Sequence, residues 1–267
     1  VEAQDGGDPK NKAEVRDIIY EQNAPFNQPA NILIELPLRY AGITWGNSNV
    51  AWVYENWWTD RKIRTYQLNP TTKAKDVIED RSSEDAYNDP GNVLTELNTF
   101  GRSVMMVRNN TVWLSGIGSS PEGDRPFLDT YHLTTKKKTR LWRSEAPYFE
   151  SVVTVLDAKK NTFVTSRESL TENPNFYIRT AGSKSVSQLT NFPHPYPLLK
   201  DVKKQVLQYK RADGVNLTAD LYVPANYKKE DGPLPTFLWA YPEEFKSNAN
   251  AGQVKGSPYT FPRIGWG

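Results

Sequence analysis

The residues able to do chemistry are few, and most are poorly spaced for it. No G-x-S-x-G nucleophile elbow occurs in the 267 residues. Ser115 and Ser183 lie in Leu114-Ser115-Gly116 and Ala181-Gly182-Ser183, without the framing glycines. The two histidines, His132 and His194, are bases only by default. His132 reads as a mid-strand residue and His194 as a proline-locked linker residue that fixes an interdomain hydrogen bond. Glu243-Glu244 offers two carboxylates, but glycosidic acid/base pairs face each other across about 5–9.5 Å, and adjacent side chains diverge. Asn109-Asn110-Thr111 and Asn216-Leu217-Thr218 match the glycosylation sequon, a short and weakly specific pattern. No His/Asp/Glu set has metal-site spacing, so neither metal nor other cofactor is expected. Tyr241 differs. It follows the strand-like run Thr236-Phe237-Leu238-Trp239-Ala240, and so falls at the C-terminal end of an expected central strand, where open α/β sheets build their sites. A phenolic hydroxyl there either donates to the oxyanion of a tetrahedral intermediate or is an ordinary half-buried tyrosine.

The elements that would position these groups are mostly strands. With 8 Trp and 14 Tyr, strand formers dominate, and long Ala/Leu/Glu/Lys-rich periodic segments are missing. The chain has the length of one large domain or one and a half. From about residue 41 to residue 192 short strands alternate with polar turns in units of about four strands, each with a Tyr near the middle of its third strand. Such units suggest β-propeller blades. A β-sandwich needs strands at regular spacing, which uneven loops such as residues 80–92 fit less well. Residues 1–40 supply a partial blade. Residues 191–197, with three prolines in five residues, break regular structure and mark a boundary. Beyond Gln205 two alternating strands flank an Asp213-Gly214 turn.

Composition excludes several classes. The net charge of +2 implies no nucleic-acid face. Lys136-Lys137-Lys138 reads as a solvated hairpin tip. Without cysteine there is no disulfide or thiol chemistry, which leaves the compartment open. No stretch reaches the roughly 18–20 apolar residues of a membrane span, and residues 1–20 lack a signal-peptide pattern. A soluble protein of bacterial cytoplasm or periplasm, or of a plastid, is compatible. The N-terminal residues read like a chain entered in the middle.

The run Tyr209-x-x-x-Asp213-Gly214-x-x-Leu217-x-Ala219-x-Leu221-Tyr222-x-Pro224, then Asp231-Gly232-Pro233-Leu234-Pro235 and Trp239-x-Tyr241-Pro242, resembles the start of the catalytic domain in prolyl oligopeptidase-family serine peptidases. The glutamyl endopeptidase branch is the nearer likeness. It carries runs similar to Gly42-Ile43-Thr44-Trp45, Val53-Tyr54-Glu55-x-Trp57, Arg61-x-Ile63-Arg64-Thr65, Asp80-Arg81-Ser82-Ser83-Glu84-Asp85, Ser166-Arg167-Glu168-Ser169 and Gly252-Gln253-Val254-Lys255-Gly256-Ser257-Pro258. The resemblance implies a propeller over an α/β-hydrolase domain. Residues 1–192 would be a partial β-propeller, 193–204 a linker and 205–267 the first part of the hydrolase domain. It implies a peptide substrate cut after glutamate by Ser-His-Asp acyl transfer, with all three triad residues beyond Gly267 and the chain alone inactive. Tyr241 is similar in position to the family's oxyanion tyrosine, although Pro242-Glu243-Glu244 replaces the glycines many relatives carry. A buried glutamate side chain needs a cationic partner, and Arg167, expected just past a strand, is the residue chosen. The alternative is a non-catalytic propeller that binds a protein or peptide, for which the entry after Gln205 has no use.

Overall fold

The computed structural model describes residues 1–197, 200–240 and 243–263. It is almost entirely β, and among the described residues the strands form six separate antiparallel sheets. Two compact units are present, Val1–Ser83 with Thr95–Val112, and Glu84–Leu94 with Trp113–Gly267.

In the first unit a three-stranded sheet joins β1 (Glu2–Ala3), β2 (Asp17–Glu21) and β3 (Asn31–Leu36). A four-stranded meander follows, of β4 (Arg39–Asn47), β5 (Val50–Trp57), β6 (Lys62–Leu68) and β7 (Lys75–Ser82). Val50, Ala51, Trp52 and Val53 are all buried, as befits an inner strand covered on both faces. Ile19, Leu33, Ile34, Leu36, Val53, Tyr66 and Leu68 form the core of this unit. Each large apolar side chain so buried contributes about 1.5–3 kcal/mol. Glu55 is buried among them and fully engaged: it accepts from Arg64 Nη1 (2.8 Å), the Tyr66 hydroxyl (3.0 Å) and Leu38 N (2.9 Å). Strand β7 takes Asp80 to Ser82 out of the expected loop 80–92. The short hairpin formed by residues 95–97 and 103–105 was not legible in the sequence either.

The second unit holds β8 (Asn92–Val93), while β9 (Thr95–Leu97) and β10 (Ser103–Met105) pair as a hairpin of the first unit. Its first meander has the order β13-β12-β11-β8, with β11 (Thr111–Gly116), β12 (Phe127–His132) and β13 (Lys138–Arg143). Its second has β14 (Phe149–Asp157), β15 (Thr162–Glu168), β16 (Asn175–Thr180) and β17 (Val186–Gln188). Trp142 of β13 and Phe163 of β15 meet with ring centroids 5.6 Å apart, which packs one meander on the other. Tyr66, Tyr131 and Tyr177 stand in the third strands of the three meanders and all are buried, the recurrence visible in the sequence. Four-stranded meanders of this kind make up propeller blades.

Strands β18 (Lys203–Lys210) and β19 (Asn216–Val223) form a separate hairpin. Gly214 turns it at φ 86°, a conformation side chains rarely adopt. Residues 236–240, expected as a central strand, belong to no strand. Phe237 and Leu238 are 78% and 83% exposed. A central strand is defined by its neighbours on both sides, and no described strand lies beside this run.

Candidate functional site

In the second unit the two ends of that unit meet. The Glu84 carboxylate accepts from the main-chain N–H of Lys246 (2.8 Å) and Ser247 (3.2 Å). Ser247 in turn caps the short helix α1 (Asn248–Ala251), its side chain accepting from Asn250 N. Gln253 donates from Nε2 to Asp85 (2.9 Å) and accepts from Ala86 N at its other amide atom (2.8 Å). Val254 N donates to the Tyr87 hydroxyl, and Gly256 exchanges hydrogen bonds with Asp124. Residues 246–256 are therefore laid along residues 84–87 and the loop at Asp124. Sequence reasoning missed this seam. The available signal was that Asp80 to Asp85 and Gly252 to Pro258 both stood among the runs that carried the resemblance.

Arg167 lies inside β15, opposite Glu150 and Asn175, and not just past a strand as expected. Its guanidinium is stacked between two rings, 4.1 Å from Tyr148 and 3.9 Å from Tyr177. The turn after β15 is held by the Ser169 hydroxyl, which accepts from Thr171 N and Glu172 N. This brings Glu172 back to Arg167 Nη2 at 3.5 Å, the limit of a hydrogen bond. Its neighbour Glu168 instead pairs with Arg263, and burial pushes the Glu168 carboxyl up despite that cation.

The remaining candidates are held locally. His132 Nδ1 accepts from Thr134 N and Thr135 N (3.3 and 3.2 Å), so it fixes a turn. That turn carries Lys136 at φ 58°, the hairpin tip the lysine run implied. His194 Nδ1 accepts from Tyr196 N (3.0 Å), and its ring packs on Phe261. The hydrogen bond is local, between residues two apart, and not the long-range contact expected of it. Ser115 sits in β11 opposite Asn92, and the Ser183 hydroxyl accepts from Ser185 N. Neither serine is bonded to a histidine. Glu243 is exposed and bound by Lys255 Nζ (2.9 and 2.8 Å). Asn109 turns a tight connection at φ 47°, and Asn216 opens β19. Tyr241 lies outside the described residues, as does Pro242. No described helix is long and apolar enough to cross a membrane.

No family model matches the chain. It is 44% identical over 284 aligned residues to a probable chloroplastic glutamyl endopeptidase of Oryza sativa subsp. japonica, covering 99% of this chain and 30% of that protein. It is 41% identical over 285 residues to the probable chloroplastic glutamyl endopeptidase of Arabidopsis thaliana, with the same coverage. The chain thus spans about 30% of the length of the curated relatives it matches. Among solved structures, oligopeptidase B from Leishmania major is similar at 15% identity over 76% of this chain and 28% of that one, with a TM-score of 0.44. That likeness is too slight to carry an argument.

Proposed function

We propose, because the chain belongs to the family of the glutamyl endopeptidases, that its parent protein hydrolyses peptide bonds after glutamate by Ser-His-Asp acyl transfer. The observation that carries this reading is identity of 44% along 99% of the chain. Residues 1–192 then form part of a substrate-gating propeller, 193–204 the linker and 205–267 the start of the hydrolase domain. The β18–β19 hairpin and the seam at Glu84 fit that division: the hydrolase entry is anchored to blade loops by hydrogen bonds that involve side chains rather than by a continuous sheet.

Two residues of this chain take roles in the reaction. Tyr241 donates its hydroxyl to the oxyanion, a contact that strengthens as the carbonyl oxygen gains charge. Arg167 receives the substrate glutamate. Its contact with Glu172 is long, and a substrate carboxylate replaces that partner on Nη2 with better geometry. The stacking tyrosines hold the guanidinium plane in place while the exchange occurs. The nucleophile and its histidine and aspartate come from the rest of the parent, so the 267-residue chain alone forms no acyl-enzyme.

A fluorophosphonate probe tests both halves. The parent should be labelled at one serine outside this sequence and should cut peptides after glutamate; the chain alone should stay unlabelled. Stoichiometric labelling at any serine of the chain overturns its inactivity. A parent that neither labels nor cuts after glutamate overturns the peptidase reading.

A further inference from the structure

Within the second unit a cleft of about 360 Å³ is bounded by residues 87–89, residues 118–121, and Phe127, Lys138, Arg140 and Arg143. That volume is at the small end for ligand pockets, about 300–1,000 Å³. A bulge gathers its cations. Lys138 and Arg140 stand opposite Tyr131 and Asp129, whereas Trp142 and Arg143 stand opposite Leu128 and Phe127. Leu141 has no partner, so the alternation of side chains along β13 reverses after Arg140. Arg143 thereby joins Lys138 and Arg140 on the face that Phe127, Asp129 and Tyr131 share. Without the extra residue it would point to the other side.

The three charges are not equally compensated. Arg140 is bonded to the buried Asp129 and lies over the Phe127 ring at 4.4 Å. Lys138 is exposed on the strand. Arg143 is half-buried and pairs with no carboxylate among the described residues. Its Nε donates to Arg125 O (3.3 Å) and its Nη2 to Gly118 O (3.1 Å), both neutral acceptors. The nearby acids are committed. Asp124 accepts from Ser119 Oγ and Gly256 N, Glu122 reaches toward Arg125 at 3.9 Å, and Asp89 on the rim accepts from Gly91 N. Burial, then the Arg125 and Arg140 charges, hold Arg143 below the usual arginine range, so an anion beside it would be stabilised.

We propose that this cleft binds an acidic peptide, with a glutamate or aspartate carboxylate on the Arg143 guanidinium and Lys138 as the second charge. A planar guanidinium matches a carboxylate. Pro121, exposed on the cleft wall, offers apolar surface to the methylene stem, while Phe127 is buried beneath Arg140. Strand β13 is the edge of its sheet, so its open main-chain groups can take an extended peptide, which a free anion would not use. The site needs no nucleophile and stands whether or not the parent is a peptidase.

Calorimetric titration of the 267-residue chain at fixed ionic strength tests it, with acetyl-Glu-Glu-Glu-amide, acetyl-Gln-Gln-Gln-amide and inorganic phosphate as probes. The glutamate peptide should bind saturably, the glutamine peptide at least about tenfold more weakly, and excess phosphate should not displace the former. Arg143→Met should weaken binding at least about fivefold. Because Arg143 also ties the loops at Gly118 and Arg125, Lys138→Met on the exposed strand is the second variant. It should weaken binding at least about twofold with an unchanged unfolding midpoint. Absence of saturable binding, equal binding of both peptides, displacement by phosphate, or unchanged affinity in Lys138→Met would overturn the proposal.

Discussion

Glu84 and Lys246, 162 positions apart, are joined at 2.8 Å by a carboxylate that accepts a main-chain N–H, and the same carboxylate also accepts from Ser247. Hydrogen bonds to a charged group contribute about 1.5–3 kcal/mol. Glu84→Ala should therefore release residues 246–254 locally. Amide exchange of that segment is expected to rise at least about tenfold while β14–β16 amides stay unchanged. Equal protection in variant and wild type would mean that Gln253 and Tyr87 suffice to hold the segment.

Glu150 is buried at 2% exposure and bonded to Arg179 through both oxygens (2.5 and 2.7 Å). Removing one partner leaves the other charge uncompensated. Glu150→Ala should cost about 3–5 kcal/mol in urea unfolding. Glu96→Ala, which breaks the exposed pair with Arg108, should cost only about 0.2–1 kcal/mol.

Asp5 gives a pH dependence of known sign. Burial alone would raise its carboxyl, but hydrogen bonds from Arg39 and Arg16, with that from Gly7 N, hold it below 3.8. Its contribution is fully present above the unfolded-chain value and is lost as pH falls through the native one. The urea midpoint should decline below about pH 4, and Asp5→Asn should be less stable at neutral pH yet decline less on acidification. Parallel curves for the two proteins would remove Asp5 as a source.

In the parent, Arg167→Met should reduce cleavage after glutamate far more than after glutamine, by about tenfold or more in kcat/KM. The tyrosines keep the methionine stem packed. An equal loss for both substrates would assign Arg167 to blade packing alone.

Tyr241→Phe in the parent removes one donor and keeps the ring. Turnover should fall about ten- to a thousandfold with little change in substrate binding. Turnover within about twofold of wild type would show that other groups hold the oxyanion.

Much of this architecture is legible in the residues. The third-strand tyrosines Tyr66, Tyr131 and Tyr177 mark the meanders because a buried ring recurs in the third strand of each sheet. The Asp213-Gly214 turn marks the last hairpin because few residues take its positive φ. What was not legible depends on distant partners or on parity. The run at 236–240 has a central strand's composition, but burial on both faces is supplied by neighbours, not by the run itself. Arg167 reads as a loop residue until Asn175 is seen to extend the ladder beyond Ser166. Arg143 is spaced from Arg140 so that regular alternation puts it on the opposite face, and only the unpaired Leu141 corrects that. The seam at Glu84 ties side chains mostly to main-chain N–H groups more than 130 positions away, and a main-chain partner leaves no trace in residue type.

The β18–β19 hairpin carries a consequence for handling the protein. It has eight paired positions and, among the described residues, no strand on either flank. Both margins expose unpaired main-chain donors and acceptors, with Leu207, Tyr209 and Tyr222 at least 40% exposed on its faces. Such a ribbon is a template for edge-to-edge association. Lys204 and Arg211 are paired with Asp220 and Asp213, so Lys203 and Lys210, one at each end of β18, are left to oppose stacking of like copies by charge. High salt screens that repulsion, so concentrated preparations should stay clear in dilute buffer and turn cloudy as ionic strength rises.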